Sequence, residues 1–344
     1  MHVQTRIDDG HIACVHRRSQ PEPCPMFQFM RWLGGGRFGD IHLGRRLKDA
    51  KEIVLKLKIE HVIYSILHNR KNKKLDHFPF FHRFEHSVNL NYTEYRDGKS
   101  LDSGMDKFNF LAIERLGPDC SKLLDHAKQQ ELYKKNSHPN QEFNRGLSYT
   151  TVVEVGEQLF SALKYMHEKE IIHRDIKPQN ILAGRGKDRI RNIFLVDFGV
   201  AKRFKEEGKF MKDGIGTRVG SAHYHSINLM YDDASVRDDC ISAIYVLVEL
   251  YKSKLWWEHL HPNNEDEEMC EMKTEYLDED KWADEFPELV PLCKVLVELH
   301  ITLFDEMPPY ALIKTTFDEM KTSKFYKDQQ LDWLIEENGF KKLW

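Results

Sequence analysis

Two short stretches carry residue types suited to one kind of chemistry. The first is His173-Arg174-Asp175-Ile176-Lys177-Pro178-Gln179-Asn180. The second, Asp197-Phe198-Gly199, begins 22 residues after Asp175. Asp175 is a carboxylate that can orient a hydroxyl and accept its proton. Asn180 and Asp197 are hard oxygen donors of the kind Mg2+ prefers. Lys177 puts a positive charge close to Asp175, where charge develops on a phosphoryl group in flight. In-line phosphoryl transfer needs this kind of positioning and charge neutralisation more than it needs covalent help. His173 has no proton to move in that scheme and is read as packing beneath the loop.

A glycine-rich stretch lies upstream: Leu33-Gly34-Gly35-Gly36-Arg37-Phe38-Gly39-Asp40-Ile41. Alone, its GxGxxG is equally well a plain glycine turn. Strand-like residues flank it on both sides, which argues against a dinucleotide fingerprint, where a helix follows. Backbone without Cβ atoms lets N–H groups approach phosphates closely. Lys56 stands 17 residues after Gly39, inside the alternating run Ile53-Val54-Leu55-Lys56-Leu57-Lys58-Ile59. Alone it is a surface lysine; behind a glycine loop it offers a point charge to the α/β-phosphates.

The elements that must position these residues differ between the two halves of the chain. Residues 1–25, rich in proline at their end, read as an irregular leader. From Met26 to about Glu60 the pattern is strand-like. Val62, Ile63, Ile66 and Leu67 then repeat at helical spacing, and the runs Phe78 to Phe84 and Phe108 to Ile113 are strand-like again. After Gly117-Pro118 the pattern turns helical: Thr151–His167 is amphipathic, and Cys240–Tyr251 is apolar nearly all round. Leu289–Phe304 and Ala311–Met320 follow. Residues 126–146 are polar and expected as a loop insertion, and the acidic run Glu265–Asp280 as a solvated face or loop. This gives an α+β protein with a strand-rich first part and a helix-rich second part.

Composition narrows the partners. The chain has 344 residues with 51 Lys and Arg against 55 Asp and Glu, a net charge of −4. A uniformly basic nucleic-acid binder is disfavoured. No apolar run reaches the roughly 18 residues that span a bilayer, and no secretory signal is visible. Six scattered cysteines without a CxxC pair suit a reducing compartment. The expectation is a monomer of the cytoplasm, with the nucleus as a second location, without membrane or nucleic-acid partners. His77, His82 and His86 cluster, but with no cysteine nearby they are read as structural histidines before a zinc site.

The ordered set of glycine loop, strand lysine, HRDxKxxN and DFG resembles the eukaryotic protein kinases. The segment Gly220-Ser221-Ala222-His223-Tyr224-His225-Ser226-Ile227-Asn228 narrows the resemblance to the casein kinase I superfamily, closest to its tau-tubulin kinase-like branch. There a Ser-Ile-Asn stands where most kinases have Ala-Pro-Glu. Arg237-Asp238-Asp239, Leu116-Gly117-Pro118 and Phe304-Asp305-Glu306-Met307-Pro308-Pro309-Tyr310 look like that group too. The resemblance implies a two-lobed fold, a small β-rich N-lobe at about 26–115 and a larger helical C-lobe at about 116–335, followed by a short tail at 336–344. It implies ATP and Mg2+ as cofactors and protein substrates. By carry-over, Asp175 and Lys177 are catalytic, and Asn180 and Asp197 hold the metal. Leu33, Gly34, Gly36, Gly39, Ile41 and Lys56 bind nucleotide, Glu114 and Leu116 offer hinge backbone to adenine, Ile113 is the gatekeeper, and Asp239 holds the catalytic loop from below.

Lys177 and Ser221 resemble serine/threonine rather than tyrosine kinases, so the implied activity is a non-specific protein serine/threonine kinase. The strip Lys202, Arg203, Lys205, Lys209, Lys212 and Arg218 either selects acidic or pre-phosphorylated substrates or is a solvated loop. Thr217 reads as an ordinary loop threonine before a phosphosite. One departure matters: an active kinase pairs the strand lysine with a helix glutamate, yet between Lys56 and Pro79 the only acids are Glu60 and Asp76. That keeps a pseudokinase scaffold as the alternative. A small-molecule phosphotransferase fits the 226–228 segment poorly.

Overall fold

A computed structural model describes residues 4–7, 12–15, 24–36, 39–56, 61–67, 77–96, 99–137, 146–212, 219–231, 234–261, 265–327, 331–335 and 340–343. The chain folds as two compact units, Met1–Lys73 with Phe78–Leu116, and Lys74–His77 with Gly117–Trp344.

The first unit is an antiparallel sheet of seven strands in the order β1-β6-β7-β5-β4-β3-β2. These are β1 (Gln4–Ile7), β2 (Ile12–Val15), β3 (Cys24–Gly36), β4 (Gly39–Arg46), β5 (Glu52–Lys56), β6 (Phe81–Arg96) and β7 (Lys99–Glu114). Period 2 explains β5: Ile53 and Leu55 are fully buried while Glu52 and Val54 between and beside them are half-buried. Phe27 and Phe29 do the same on β3. The short helix α1 (His61–Leu67) buries Tyr64 and Leu67, three residues apart on one face.

Two expectations fail in this unit. Within the stretch expected as an irregular leader, the described residues 4–7 and 12–15 are strands: β1 pairs with β6 and β2 with β3, adding a strand at each edge of the sheet. The runs expected at 78–84 and 108–113 fall at the base of a much longer hairpin, β6 and β7 at 16 residues each, paired from Phe81↔Ile113 to Arg96↔Lys99 with three shifts of register along it.

The second unit is helical: α2 (Cys120–Ser137), α3 (Tyr149–Glu168), α4 (Ile227–Tyr231), α5 (Val236–Lys252), α6 (Asp266–Glu275), α7 (Glu279–Glu285), α8 (Val290–Ile301) and α9 (Tyr310–Thr322). Three short strands, β8 (Ile171–Ile172), β9 (Ile181–Ala183) and β10 (Ile193–Leu195), flank the loop carrying Asp175. At the start of α3 the Ser148 hydroxyl accepts from Thr151 N–H. Helix α5 opens on a capping box, with Ser235 N–H donating to Asp238 Oδ2 at 2.7 Å. It is buried without a break from Val236 to Val248, its polar first turn (Arg237, Asp238, Asp239) included, and from Cys240 to Val248 it is apolar except for Ser242, as a helix buried all round requires. Gly156 lets α3 come close: a Cβ there would stand 2.6 Å from the Phe317 ring on α9 and 2.8 Å from Leu247 on α5.

One further correction follows. The loop expected at 126–146 is helix α2 as far as Ser137, because Cys120, Leu123 and Leu124 face the core at helical spacing. The acidic run 265–280 is a solvated face, carried on α6 and the start of α7: Glu267, Glu268, Glu271 and Glu275 are exposed, while α6 buries Met269, Cys270 and Lys273 on its other face. The C-terminal segment is also tied down, with Phe340 buried against the His126 ring at 4.5 Å between centroids. Cys120, Cys240, Cys270 and Cys293 are buried and form no disulfide. Among the described residues no helix is long and apolar enough to cross a membrane.

Candidate active site

The loop after β8 is held from beneath by one carboxylate. Asp239 on α5, 2% exposed, accepts His173 N–H at 2.7 Å on Oδ2 and Arg174 N–H at 2.8 Å on Oδ1. His167 Nε2 on α3 lies 3.1 Å from the same Oδ2. Burial pushes this carboxyl pKa up, but the His167 bond and the other donors outweigh it, so the group sits below its ordinary value. Those anchors support a strained backbone: Arg174 has φ +67°, a left-handed conformation that costs a non-glycine residue. Its Nε donates to Val200 O at 2.7 Å. His173 is fully buried, with Nε2 3.1 Å from Val196 O and its ring edge-on to Phe198.

Above this floor Asp175 has both carboxylate oxygens engaged. Lys177 Nζ donates to Oδ2 at 2.8 Å and to Ser221 Oγ at 3.0 Å, and Ser221 Oγ donates to Oδ1 at 3.0 Å. Pro178 opens the single 3-10 turn that ends at Asn180. Asn180 Nδ2 donates to Asp175 O at 2.8 Å and lies 3.3 Å from Asp175 Oδ2. Its nitrogen is therefore used inside the loop, and Oδ1 is the atom left as a hard ligand. Val196 N–H donates to Asn180 O at 3.0 Å, which ties the segment bearing Asp197 to the loop. Asp197 is half-buried, with φ +67°. An amide oxygen and a carboxylate held on linked segments fit an oxygen-seeking divalent cation. Among the described residues no group of three His, Cys, Asp or Glu could hold a metal by itself; the side chains of His82 and His86 lie outside them.

The segment with Ser226-Ile227-Asn228 is anchored by polar bonds. Ser226 Oγ donates to Asp238 Oδ1 at 2.5 Å. Asn228 Nδ2 donates to His300 O, and its Oδ1 lies 3.2 Å from His300 Nδ1. Burial pushes Asp238 up to about 6, against the pull of Ser226 and Ser235. Of the basic strip, Arg203 pairs with Glu170 at 3.1 Å, Lys205 lies over the Phe210 ring and Lys212 over Phe304. Thr217 and Arg218 lie outside the described residues.

In the first unit the glycine stretch is a hairpin, with Gly34 opposite Ile41 and Gly36 opposite Gly39. Leu33 is 43% exposed and Ile41 half-buried. Lys56 ends β5, its backbone between Ile41 of β4 and Leu111 of β7; its side chain lies outside the described residues. Ile113 is buried. Glu114 ends β7, its N–H donating to Phe80 O at 2.9 Å while its Oε1 accepts Phe80 N–H at 2.5 Å. Leu116 is the last residue of this unit and Gly117 the first of the next stretch of the other. The seven residues of α1 include no acid, and Glu60 and Asp76 lie outside the described residues.

Sequence reasoning missed two groups. His167 supports Asp239 from α3 and holds Tyr310 OH at 2.5 Å from its Nδ1; its only signal was a place at the end of an amphipathic helix. Lys273 is fully buried and donates to His225 O at 2.8 Å; its only signal was a helical spacing with Met269 and Cys270.

Comparison with known proteins agrees with this geometry. A protein of Dictyostelium discoideum named as a probable serine/threonine-protein kinase is 26% identical over 314 residues, covering 89% of this chain. The chain spans 56% of that relative's length, about half of it. Residues 27–303 match the protein kinase domain, and the chain belongs to that family.

Proposed function

We propose that the protein is a serine/threonine kinase of the casein kinase I type, which transfers the γ-phosphate of ATP to Ser/Thr hydroxyls of proteins. The observation that carries this is the arrangement of Lys177 and Ser221 on the two carboxylate oxygens of Asp175. It fixes the carboxylate's direction, so that Asp175 can orient an incoming hydroxyl and take its proton. Lys177, bonded to both partners, puts its charge beside the group being transferred. Asn180 Oδ1 and the Asp197 carboxylate would hold Mg2+, which when bound neutralises charge on the nucleotide phosphates. Leu33, Ile41 and the glycine hairpin would cover the nucleotide, with Lys56 on its phosphates and the backbone of Glu114 and Leu116 on adenine. The Ser-Ile-Asn segment supports the casein kinase I assignment. The basic strip supports acidic or pre-phosphorylated substrates.

The lack of an acid on α1 favours a second reading, a pseudokinase scaffold. Transfer of labelled γ-phosphate to casein, compared between the native protein and Asp175→Asn, separates the two. Transfer lost in Asp175→Asn supports the kinase. A folded native protein that binds nucleotide but labels no acceptor supports the scaffold.

A further inference from the structure

The turn that follows Ser221 has every carbonyl occupied from outside. Trp257 Nε1 donates to His223 O at 2.8 Å and Ser242 Oγ to Tyr224 O at 2.6 Å. The remaining two belong to one side chain: Lys273 Nζ lies 2.8 Å from His225 O and 3.5 Å from Ala222 O. Lys273 comes from α6, an otherwise acidic helix, and is 0% exposed. Its ammonium sits over the Trp257 and Tyr245 rings, 5.1 and 5.5 Å from their centroids. Among the described residues it has no carboxylate within ion-pair distance.

Such a residue is a poor choice for stability. An ammonium buried without an ion-pair partner, offset only by the longer-range pull of groups on its own helix such as Asp266, costs free energy that a leucine or methionine of similar volume would not. Burial pushes its pKa down to about 7, which is that cost in another form. Departures of this kind from the rules of core packing concentrate at sites with a functional demand.

The demand is visible one residue away. Ala222–Tyr224 is a single 3-10 turn with Ser221 as its N-terminal flank. Ser221 Oγ lies 3.0 Å from both Asp175 Oδ1 and Lys177 Nζ. The turn's conformation thus sets where that hydroxyl stands. We propose that Lys273 is a positioning residue for phosphoryl transfer: by holding the carbonyls of Ala222 and His225 it fixes the turn that seats Ser221 against Asp175 and Lys177. The role rests on the kinase reading above, and it is a link from α6 to the catalytic loop that passes through Ser221.

The test is a double-mutant cycle of Lys273→Met and Ser221→Ala on the full chain, with Asp175→Asn as blank. Methionine fills the lysine's volume without its donors. Lys273→Met should lower kcat by about tenfold, since small displacements of reacting groups cost up to two orders of magnitude, while KM for ATP stays unchanged. In the Ser221→Ala background the same change should cost less than about threefold, because coupled residues are not additive. Equal losses in both backgrounds would overturn the proposal, as a merely structural lysine lowers activity regardless of Ser221. Amide hydrogen exchange gives a readout that needs no activity: Lys273→Met should speed exchange at residues 173–177 as well as 221–226. Exchange confined to α6 and the turn would overturn the link even in a native protein that transfers nothing, which is the separate failure of the kinase reading. If Lys273→Met does not fold, Lys273→Gln, which keeps one N–H donor, takes its place in the cycle under the same criteria. Failure of both to fold would make Lys273 a residue of the fold alone and would also overturn it.

Discussion

Asp239→Asn tests whether the catalytic loop owes its shape to one buried carboxylate. In the native protein Oδ1 accepts Arg174 N–H and Oδ2 accepts His173 N–H, with His167 Nε2 also on Oδ2. Asparagine has one acceptor oxygen in the same volume. With its nitrogen toward Arg174 it meets a donor; turned over, it meets the donor of His173. Either way one buried loop N–H is orphaned. An unsatisfied buried donor costs about 1–3 kcal/mol, and a lost bond to a charged acceptor about 1.5–3 kcal/mol. The sum, about 2.5–6 kcal/mol, corresponds to a fall in Tm on the order of 10 °C for a helical unit of this size. The lost stability should also depend on pH in a stated direction. The folded carboxyl lies below its ordinary 3.8, so its contribution is present above that value and is lost as the pH falls through the lowered one. The deficit of the variant should therefore be full at pH 7 and shrink in acid. Thermal melts followed by near-ultraviolet circular dichroism at pH 7 and below pH 4 measure both. Phosphate transfer per folded molecule should drop by at least about tenfold as the loop loses its anchor. A variant within about 1 kcal/mol of the native protein at pH 7 would refute the reasoning, because no arrangement of an asparagine satisfies both loop amides.

Gly220 has φ +95°, and a Cβ on it would stand 2.3 Å from Arg174 O and 3.2 Å from Asp175 Oδ1; Gly220→Ala should cut kcat by about a hundredfold, and steady-state kinetics showing less than a twofold loss would contradict that. His300 is held down to about 4 by burial, helped by the charges of Arg237 and Lys273. Since the unfolded chain binds that proton and the folded one resists it, stability should fall as pH drops from 6.5 to about 4, and His300→Gln should flatten urea midpoints over that window. For Lys273, whose pKa is lowered to about 7 from 10.5, stability should rise with pH between those values, and Lys273→Met should abolish the slope. Replacing Lys202, Arg203, Lys205, Lys209 and Lys212 together with alanine should raise KM for acidic peptides and leave KM for neutral ones alone; equal KM shifts for both would assign the strip to the fold instead.

The residues of the catalytic loop are legible in the chain because their chemistry is local. Asp175, Lys177 and Asn180 must meet within one turn, so their spacing is short and their types are fixed by what a phosphate and a cation require. Strand β5 is legible for a different reason, its alternation of buried and half-buried residues. In the upper part of the β6–β7 hairpin, residues 85–107 are mostly polar, and apolar–polar alternation is confined to the short run Val88-Asn89-Leu90-Asn91-Tyr92. A further signal lay in Asp97-Gly98 between Arg96 and Lys99, a two-residue pair that suits a tight hairpin turn. Strands β1 and β2 are held at the sheet edges by backbone pairing, which leaves little trace in side-chain type. Helix α2 was hidden by its polarity, although Lys, Gln, Glu and Leu from 127 to 135 are good helix formers.

Lys273 shows why the remainder escapes a one-dimensional reading. A lysine within an acidic run has the pattern of a solvated helix face, and that is the correct inference from neighbours in sequence. What buries it comes from elsewhere: Trp257 and Tyr245 supply the ring faces, and Ala222 and His225 the carbonyls. The same holds for Asp239, whose partners are 65 to 72 positions away. Around Asp175, the residues that touch it belong to two segments of chain, Lys177 and Asn180 from its own loop and Ser221 from far downstream. The chemistry could be read from the first segment alone. Its positioning could be read only in part: Asp239 on α5 stands in the Arg237-Asp238-Asp239 stretch that carries the family resemblance, whereas His167 on α3 and Lys273 on α6 are brought in by the fold and lie in no motif. The absence of an acid from α1 belongs to the opposite case. It is fully legible as a departure from the local pattern, and it leaves every bond that Asp175 makes in the second unit unaltered.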